Sequence, residues 1–273
     1  MKRLVKTIIS TTFLAYLFLL RRKPRFVILY YHAIPATSRS NFARHLDILR
    51  SNARVVPADY CGTGEGAKLL VAITFDDAFM SVVENALPEL ACRNMNATIF
   101  APSGVLGRSP NWEMELTLQD RSEVIASAER LREISSPLVR IGAHSRSHPH
   151  LPRLEFAAAR QEIAGSRGDL EMSLAMVVDL FAFPYGEYDK QTIGLCKEAG
   201  FRHAYTIVPA VIDPTSSEFL RGRTSVLPTD SQYEFWLKMN GGYAWLDWVS
   251  AMRRRVFGGG REGGMSSDPQ VTS

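Results

Sequence analysis

What most constrains the fold of this 273-residue chain is a rhythm. Short β-rich runs at 26–31, 54–56, 69–75, 97–101, 139–143, 180–183, 203–208 and, weakly, 224–227 alternate with helical patterns at 41–49, 82–93, 123–133, 154–172 and 191–199. Several of the runs are apolar from end to end, which suits strands covered on both faces. Gly200 follows the last helical pattern as a stop signal. No GxGxxG or Walker loop interrupts the rhythm, so the pattern predicts an α/β barrel of parallel strands and not a nucleotide-binding doubly wound sheet.

The polar residues share an address. His32 follows the run 26–31, Asp76 and Asp77 follow 69–75, His144 follows 139–143, and Pro184-Tyr185-Gly186 comes at the end of 180–183. In a parallel barrel the carboxyl ends of the strands form the catalytic face, so four segments distant in sequence are expected to meet there.

His144 and His148 are spaced so that both imidazoles can reach one side of a metal, and Pro149 makes a turn at His148 more natural than a helix. The pair alone is equally compatible with structural histidines. Adjacent carboxylates after an apolar strand are costly to bury without a cation or proton. Together these residues point to two imidazoles and one carboxylate on a divalent metal, with the second carboxylate as general base.

The segments Thr74-Phe75-Asp76-Asp77, His144-Ser145-Arg146-Ser147-His148 and Phe183-Pro184-Tyr185-Gly186 resemble, in order and spacing, the first three motifs of the polysaccharide deacetylase family, the NodB-homology domain of carbohydrate esterase family 4. Tyr30 to Ile34 and Glu198 to Phe201 extend the likeness, which covers about residues 26–230. The resemblance implies a deformed (β/α) barrel and a hydrolase that removes N-acetyl groups from amino-sugar units of a polysaccharide or lipid-linked glycan. It also implies one divalent metal, zinc by preference, on Asp77, His144 and His148, with Asp76 as base and the backbone N–H of Tyr185 stabilising the oxyanion.

Three departures stand out. Ala78 replaces the small Gly that usually follows the Asp pair, and no His follows His203 to act as leaving-group acid. Ala182 stands where an Arg often precedes the motif Pro, so the hydrogen bond that would orient the base is missing or supplied elsewhere. A subset resembling the deacetylases of exported poly-N-acetylglucosamine uses the opening-strand His instead, a position held here by His32. His150 is expected beside the site or on the surface, and His45 and His203 in structural roles. The competing readings are a deformylase or O-acetyl esterase with the same site, and a membrane-tethered glycan-binding module that does no chemistry.

The net charge of +4 is concentrated at the amino end. Residues 1–25 hold Lys2, Arg3, Lys6, Arg21, Arg22, Lys23 and Arg25 and no acid, leaving 25 basic against 28 acidic residues elsewhere, so no nucleic-acid partner is expected. Thr7 to Leu20 is uncharged and mostly apolar, and the basic residues after it leave no cleavage site. Residues 1–25 are therefore expected to associate with a membrane surface, that of the bacterial inner membrane, as an uncleaved anchor or an interfacial helix; the plainer alternative is a helix packed into the fold. The barrel is expected over 26–257 and a disordered, glycine-rich tail over 258–273. Residues 235–257, rich in Trp and ending in Arg253-Arg254-Arg255, read as an outer helix. Three widely spaced cysteines argue against a disulfide framework or a thiolate zinc site and leave the compartment open.

Overall fold

In the computed structural model the residues described are 2–19, 25–66, 69–112 and 123–247. The predicted tail and residues 248–257 of the outer helix lie outside them. The elements run α1 (Lys2–Leu19), β1 (Arg25–Tyr31), α2 (Arg39–Asn52), β2 (Arg54–Val55), β3 (Leu69–Phe75), α3 (Leu87–Ala91), β4 (Ala97–Ala101), α4 (Ala128–Ile134), β5 (Val139–Ala143), α5 (Phe156–Leu174), β6 (Leu180–Ala182), α6 (Lys190–Glu198), β7 (His203–Thr206), β8 (Leu220–Gly222), β9 (Thr224–Ser225) and α7 (Gln232–Met239).

The strands form a nearly closed parallel barrel in the order β8-β7-β6-β5-β4-β3-β1-β9, with β2 added on β3. Period-two alternation sorts their side chains. Phe26, Ile28, Leu70, Ala72, Phe100, Leu180, Ala182 and Tyr205 fill the barrel interior, while Val27, Leu29, Leu69, Val71, Ile73, Ile99, Ile141 and Phe181 pack outward against the helices. That double burial is why these strands read as continuous apolar runs. Gly142, paired with Phe100, makes room inside: a Cβ there would lie 2.6 Å from the Phe100 ring.

The closure is made by one piece of chain. Residues 220–222 pair with β7 and residues 224–225 with β1, so Arg223 sits at the seam between the two ends of the sheet. The stretch Leu-Arg-Gly of β8 has no apolar pattern, which is why it is absent from the predicted strands.

Two predicted helices differ. The 82–93 helix is split into a π-type turn at Val82–Ala86 and α3, because Pro88 lacks the N–H that would bond the Glu84 carbonyl. The 123–133 helix starts only at Ala128, after the Ser127 cap; Ile125 instead bridges to Phe79. The outer helix is interrupted: α7 ends at Met239, where Asn240 and a left-handed Gly241 turn the chain, and helix resumes at residues 245–247.

α1 packs on α7. Leu14 is buried with Leu237 and Tyr243, Ser10 Oγ accepts from Trp245 Nε1, and Thr11 shares a hydrogen bond with Tyr233. Among the described residues no helix is long and apolar enough to cross a membrane.

Candidate metal and hydrolase centre

The carboxyl ends of β1, β3, β5 and β6 do converge, bringing His32, Asp76, Asp77, His144, His148 and Tyr185 to one mouth of the barrel. The segment that follows β3 departs from regular backbone at once, with Asp77 at φ 67° and Ala78 at φ 54°. Ala78 thus occupies a left-handed position that a Gly would adopt freely and a Cβ resists by about 1–2 kcal/mol. The segment 124–126 holds it there: Ala126 N donates to Ala78 O at 2.8 Å, and Met80 N to Val124 O at 2.8 Å.

The loop 144–148 is shaped in the same way. Ser145 and His148 have φ of 61° and 60°, Ser145 Oγ accepts from His148 N at 3.0 Å, and Glu162 accepts from the backbone N–H groups of Arg146 and Ser147. Tyr185 completes the set at φ 56°. Among the described residues, five of the seven non-glycine residues with positive φ therefore lie around one mouth, where neighbouring contacts hold strained backbone in place.

Asp77, His144 and His148 are buried, and one ligand atom from each lies within 4.8 Å of the others. Asp77 Oδ1 stands 3.7 Å from His144 Nε2 and 3.5 Å from His148 Nε2. Those separations exceed hydrogen-bond length and match donors grouped around a divalent ion, since ligand atoms each about 2.1 Å from a tetrahedral ion stand about 3.4 Å apart. His144 Nδ1 lies 2.8 Å from the Ala182 carbonyl, which can only accept, so Nδ1 donates to it and Nε2 is the ring nitrogen turned to Asp77. Burial, and then the charges of His144 and His32, push the His148 imidazole well below its ordinary value and leave it neutral. Trp112 stacks over His148 at 4.4 Å and Tyr185 meets its edge at 4.6 Å. Two imidazoles and a carboxylate in this arrangement fit a divalent metal.

Asp76 is buried beside them but faces the opposite way, toward a residue that sequence reasoning did not single out. Arg223 donates Nη1 to Asp76 Oδ1 at 2.6 Å and Nη2 to Oδ2 at 2.8 Å. Its remaining donors reach Thr74 Oγ1 and Thr206 O, and the rings of Tyr30 and Phe100 lie 4.8 and 5.2 Å from its Cζ. The orienting bond left open by Ala182 is thus supplied from the barrel seam. Burial pushes the Asp76 carboxyl up, but the charge of Arg223, then that of His144, outweighs it and holds the group below the usual carboxylate range. Asp76 is therefore ionised at neutral pH.

His32 is exposed at the same mouth, edge-on to Tyr30, and its charge acts on both Asp76 and His148. His150 stacks on Tyr185 at 4.0 Å and meets Glu187 at 2.8 Å, so it braces the Tyr185 loop. His45 stacks on Phe235 and bonds the Asp230 carbonyl; His203 bonds the Glu218 carbonyl. Both serve the fold.

The polysaccharide deacetylase family model matches residues 63–204, just over half of the chain. The chain belongs to the polysaccharide deacetylase family, a family of hydrolases. YxkH of Bacillus subtilis (strain 168), whose name assigns it to the polysaccharide deacetylases, is 24% identical over 158 residues, 58% of this chain. The chain spans about half of that relative, 52% of its length. Among solved structures, IcaB from Ammonifex degensii is 26% identical with a TM-score of 0.67, over 81% of this chain and 100% of that one. The Streptococcus pyogenes deacetylase PplD in complex with acetate shares the fold, with a TM-score of 0.65 at 18% identity over 79% of this chain and 98% of that one. Both His32 and Arg223 lie outside the stretch matched by the family model.

Proposed function

We propose that this chain removes N-acetyl groups from amino-sugar units of a glycan by metal-assisted hydrolysis. Asp77, His144 and His148 would hold one divalent ion, with zinc the preferred occupant of a two-imidazole, one-carboxylate set. When bound, such an ion acts as a Lewis acid toward the amide carbonyl and its attacking water. Asp76, held ionised and aimed by Arg223, takes a proton from the water as its oxygen bonds to the carbonyl carbon. The N–H of Tyr185 stabilises the negative charge that develops on the carbonyl oxygen. His32, on the open side of the mouth, gives a proton to the nitrogen as the C–N bond breaks, so that acetate and a free amino sugar leave.

The observation that carries this reading is the division of labour between adjacent carboxylates. Asp77 is turned to two imidazoles and Asp76 to a guanidinium. A module that only bound glycan would have no use for a buried, ionised carboxylate clamped next to a three-donor cluster.

The test is acetate release from N-acetylglucosamine oligomers by zinc-loaded chain, alongside Asp76→Asn. We expect turnover in the wild type, and in the variant retained metal with about 10²–10⁴-fold lower turnover. Release of acetate from O-acetylated but not N-acetylated sugars would replace the amidase reading with an esterase, and wild-type rates in Asp76→Asn would remove it as base.

A further inference from the structure

The helix α1 has two unlike faces, and only one is used by the fold. Ser10 and Leu14 are buried against α7 and the turn that follows it. Val5, Ile8, Ile9, Tyr16 and Leu19 are instead 40–81% exposed. At 3.6 residues per turn these five side chains fall within an arc of about 100°, roughly opposite Ser10 and Leu14. They make up half of the large apolar side chains left exposed among the described residues. The segment that carries this stripe also carries six basic residues and no acid within residues 1–23.

We propose that α1 is an in-plane membrane-docking helix, seated on the barrel by one face and immersed by the other in the headgroup layer of an anionic bilayer. A helix whose Ser10 and Leu14 are taken up by α7 and the turn after it cannot be surrounded by lipid, so the segment lies on the membrane and does not span it. The apolar arc supplies burial and the basic residues supply attraction to anionic headgroups, the two contributions that interfacial helices combine. Exposed Tyr233, bonded to Thr11, adds an amphipathic ring at the edge of the same surface.

The docking also sets the attitude of the barrel. Thr11 meets Tyr233 in the first turn of α7 and Leu14 meets Leu237 in the second, so the two helices run in the same direction. Thr7, nearer the amino end of α1, lines a depression with Ser38, Pro228 and Ser231, which follow β1 and β9 on the side of the metal and hydrolase centre. With α1 flat on the bilayer, the barrel lies on its side and its mouth opens along the surface, where a glycan leaving the membrane or attached to it would pass. The membrane inference does not rest on the deacetylase reading, since vesicle binding and acetate release are measured separately.

The experiment uses the full chain with vesicles of phosphatidylcholine alone or mixed with phosphatidylglycerol, read by co-sedimentation. We expect binding that is stronger on the mixed vesicles, weakens with added salt, and falls roughly 10-fold or more in Ile8→Asn/Tyr16→Asn. Both replaced side chains are exposed, so the thermal midpoint and any acetate release in solution should stay at wild-type values. Tyr16→Trp and Val5→Trp, each corrected for the wild-type signal, should be quenched by lipids brominated near the headgroup more than by lipids brominated near the chain end. Equal vesicle binding by wild type and double variant would overturn the proposal. So would deepest quenching at the bilayer centre, or a dimer in solution that the double variant dissociates while the wild type ignores vesicles.

Discussion

Replacing Arg223 by Met tests the orienting role of the barrel seam. The substitution keeps a long apolar stem but removes both bonds to Asp76, at 2.6 and 2.8 Å, and leaves a buried carboxylate without its main countercharge. Breaking a buried ion pair from one side costs about 3–5 kcal/mol. For a domain of this size each kcal/mol moves the midpoint by about 2–4 °C, so Tm should fall by about 6–20 °C. The sign of the pH effect follows from the direction of the Asp76 shift. In the wild type the carboxyl lies below its ordinary value, so the pair contributes stability that is complete at neutral pH and fades as pH drops below about 4. Without Arg223, burial dominates and the carboxyl rises. The acid limb of kcat/KM should therefore move to higher pH, with activity partly recovered in alkaline buffer. Arg223→Lys keeps the charge but cannot form the two-point clamp; it should lower kcat with little movement of the limb. Calorimetry and a pH–rate profile read both effects. An Arg223→Met profile that overlays the wild type would refute the argument that this residue holds Asp76 ionised.

Three further outcomes follow from the site and the core. His144→Ala and Asp77→Ala should each lose the bound metal, by elemental analysis of the purified protein, because each removes one of the three donors grouped there among the described residues. His32→Ala should keep its metal and lose about 10²–10⁴-fold in amide turnover, but less on an activated aryl ester whose leaving group needs no proton; equal losses on both substrates would reassign His32 to structure. Gly142→Ala places a Cβ 2.6 Å from the Phe100 ring inside the barrel and should cost about 1–3 kcal/mol, read as a lower Tm with metal content unchanged.

How much of this was legible in the sequence divides along the range of the interactions. Burial on both faces writes itself into β3 and β4 as runs without a charge, and these, with β5 despite its half-buried Arg140, were readable to the residue. A polar residue directly after such a run has to lie at the strand's carboxyl end. The barrel and the meeting of His32, the Asp pair, His144 and the Tyr185 turn follow from that local rule, and the turn at His148 from its neighbour Pro149. Arg223 could not be found that way. It is 147 residues from Asp76, and a buried Arg between short strands has the composition of a solvated loop. Only barrel closure, which joins β8 to β7 and β9 to β1 through this one position, turns it inward. Only the family likeness separates the two adjacent acids at the level of sequence; the physical cause of their split is tertiary, since left-handed backbone at Asp77 faces one toward His144 and His148 while the other meets the seam. The apolar segment before the barrel was visible as such, but which of its faces packs and which is left over depends on α7, more than 200 residues away, and no local pattern encodes a partner at that distance.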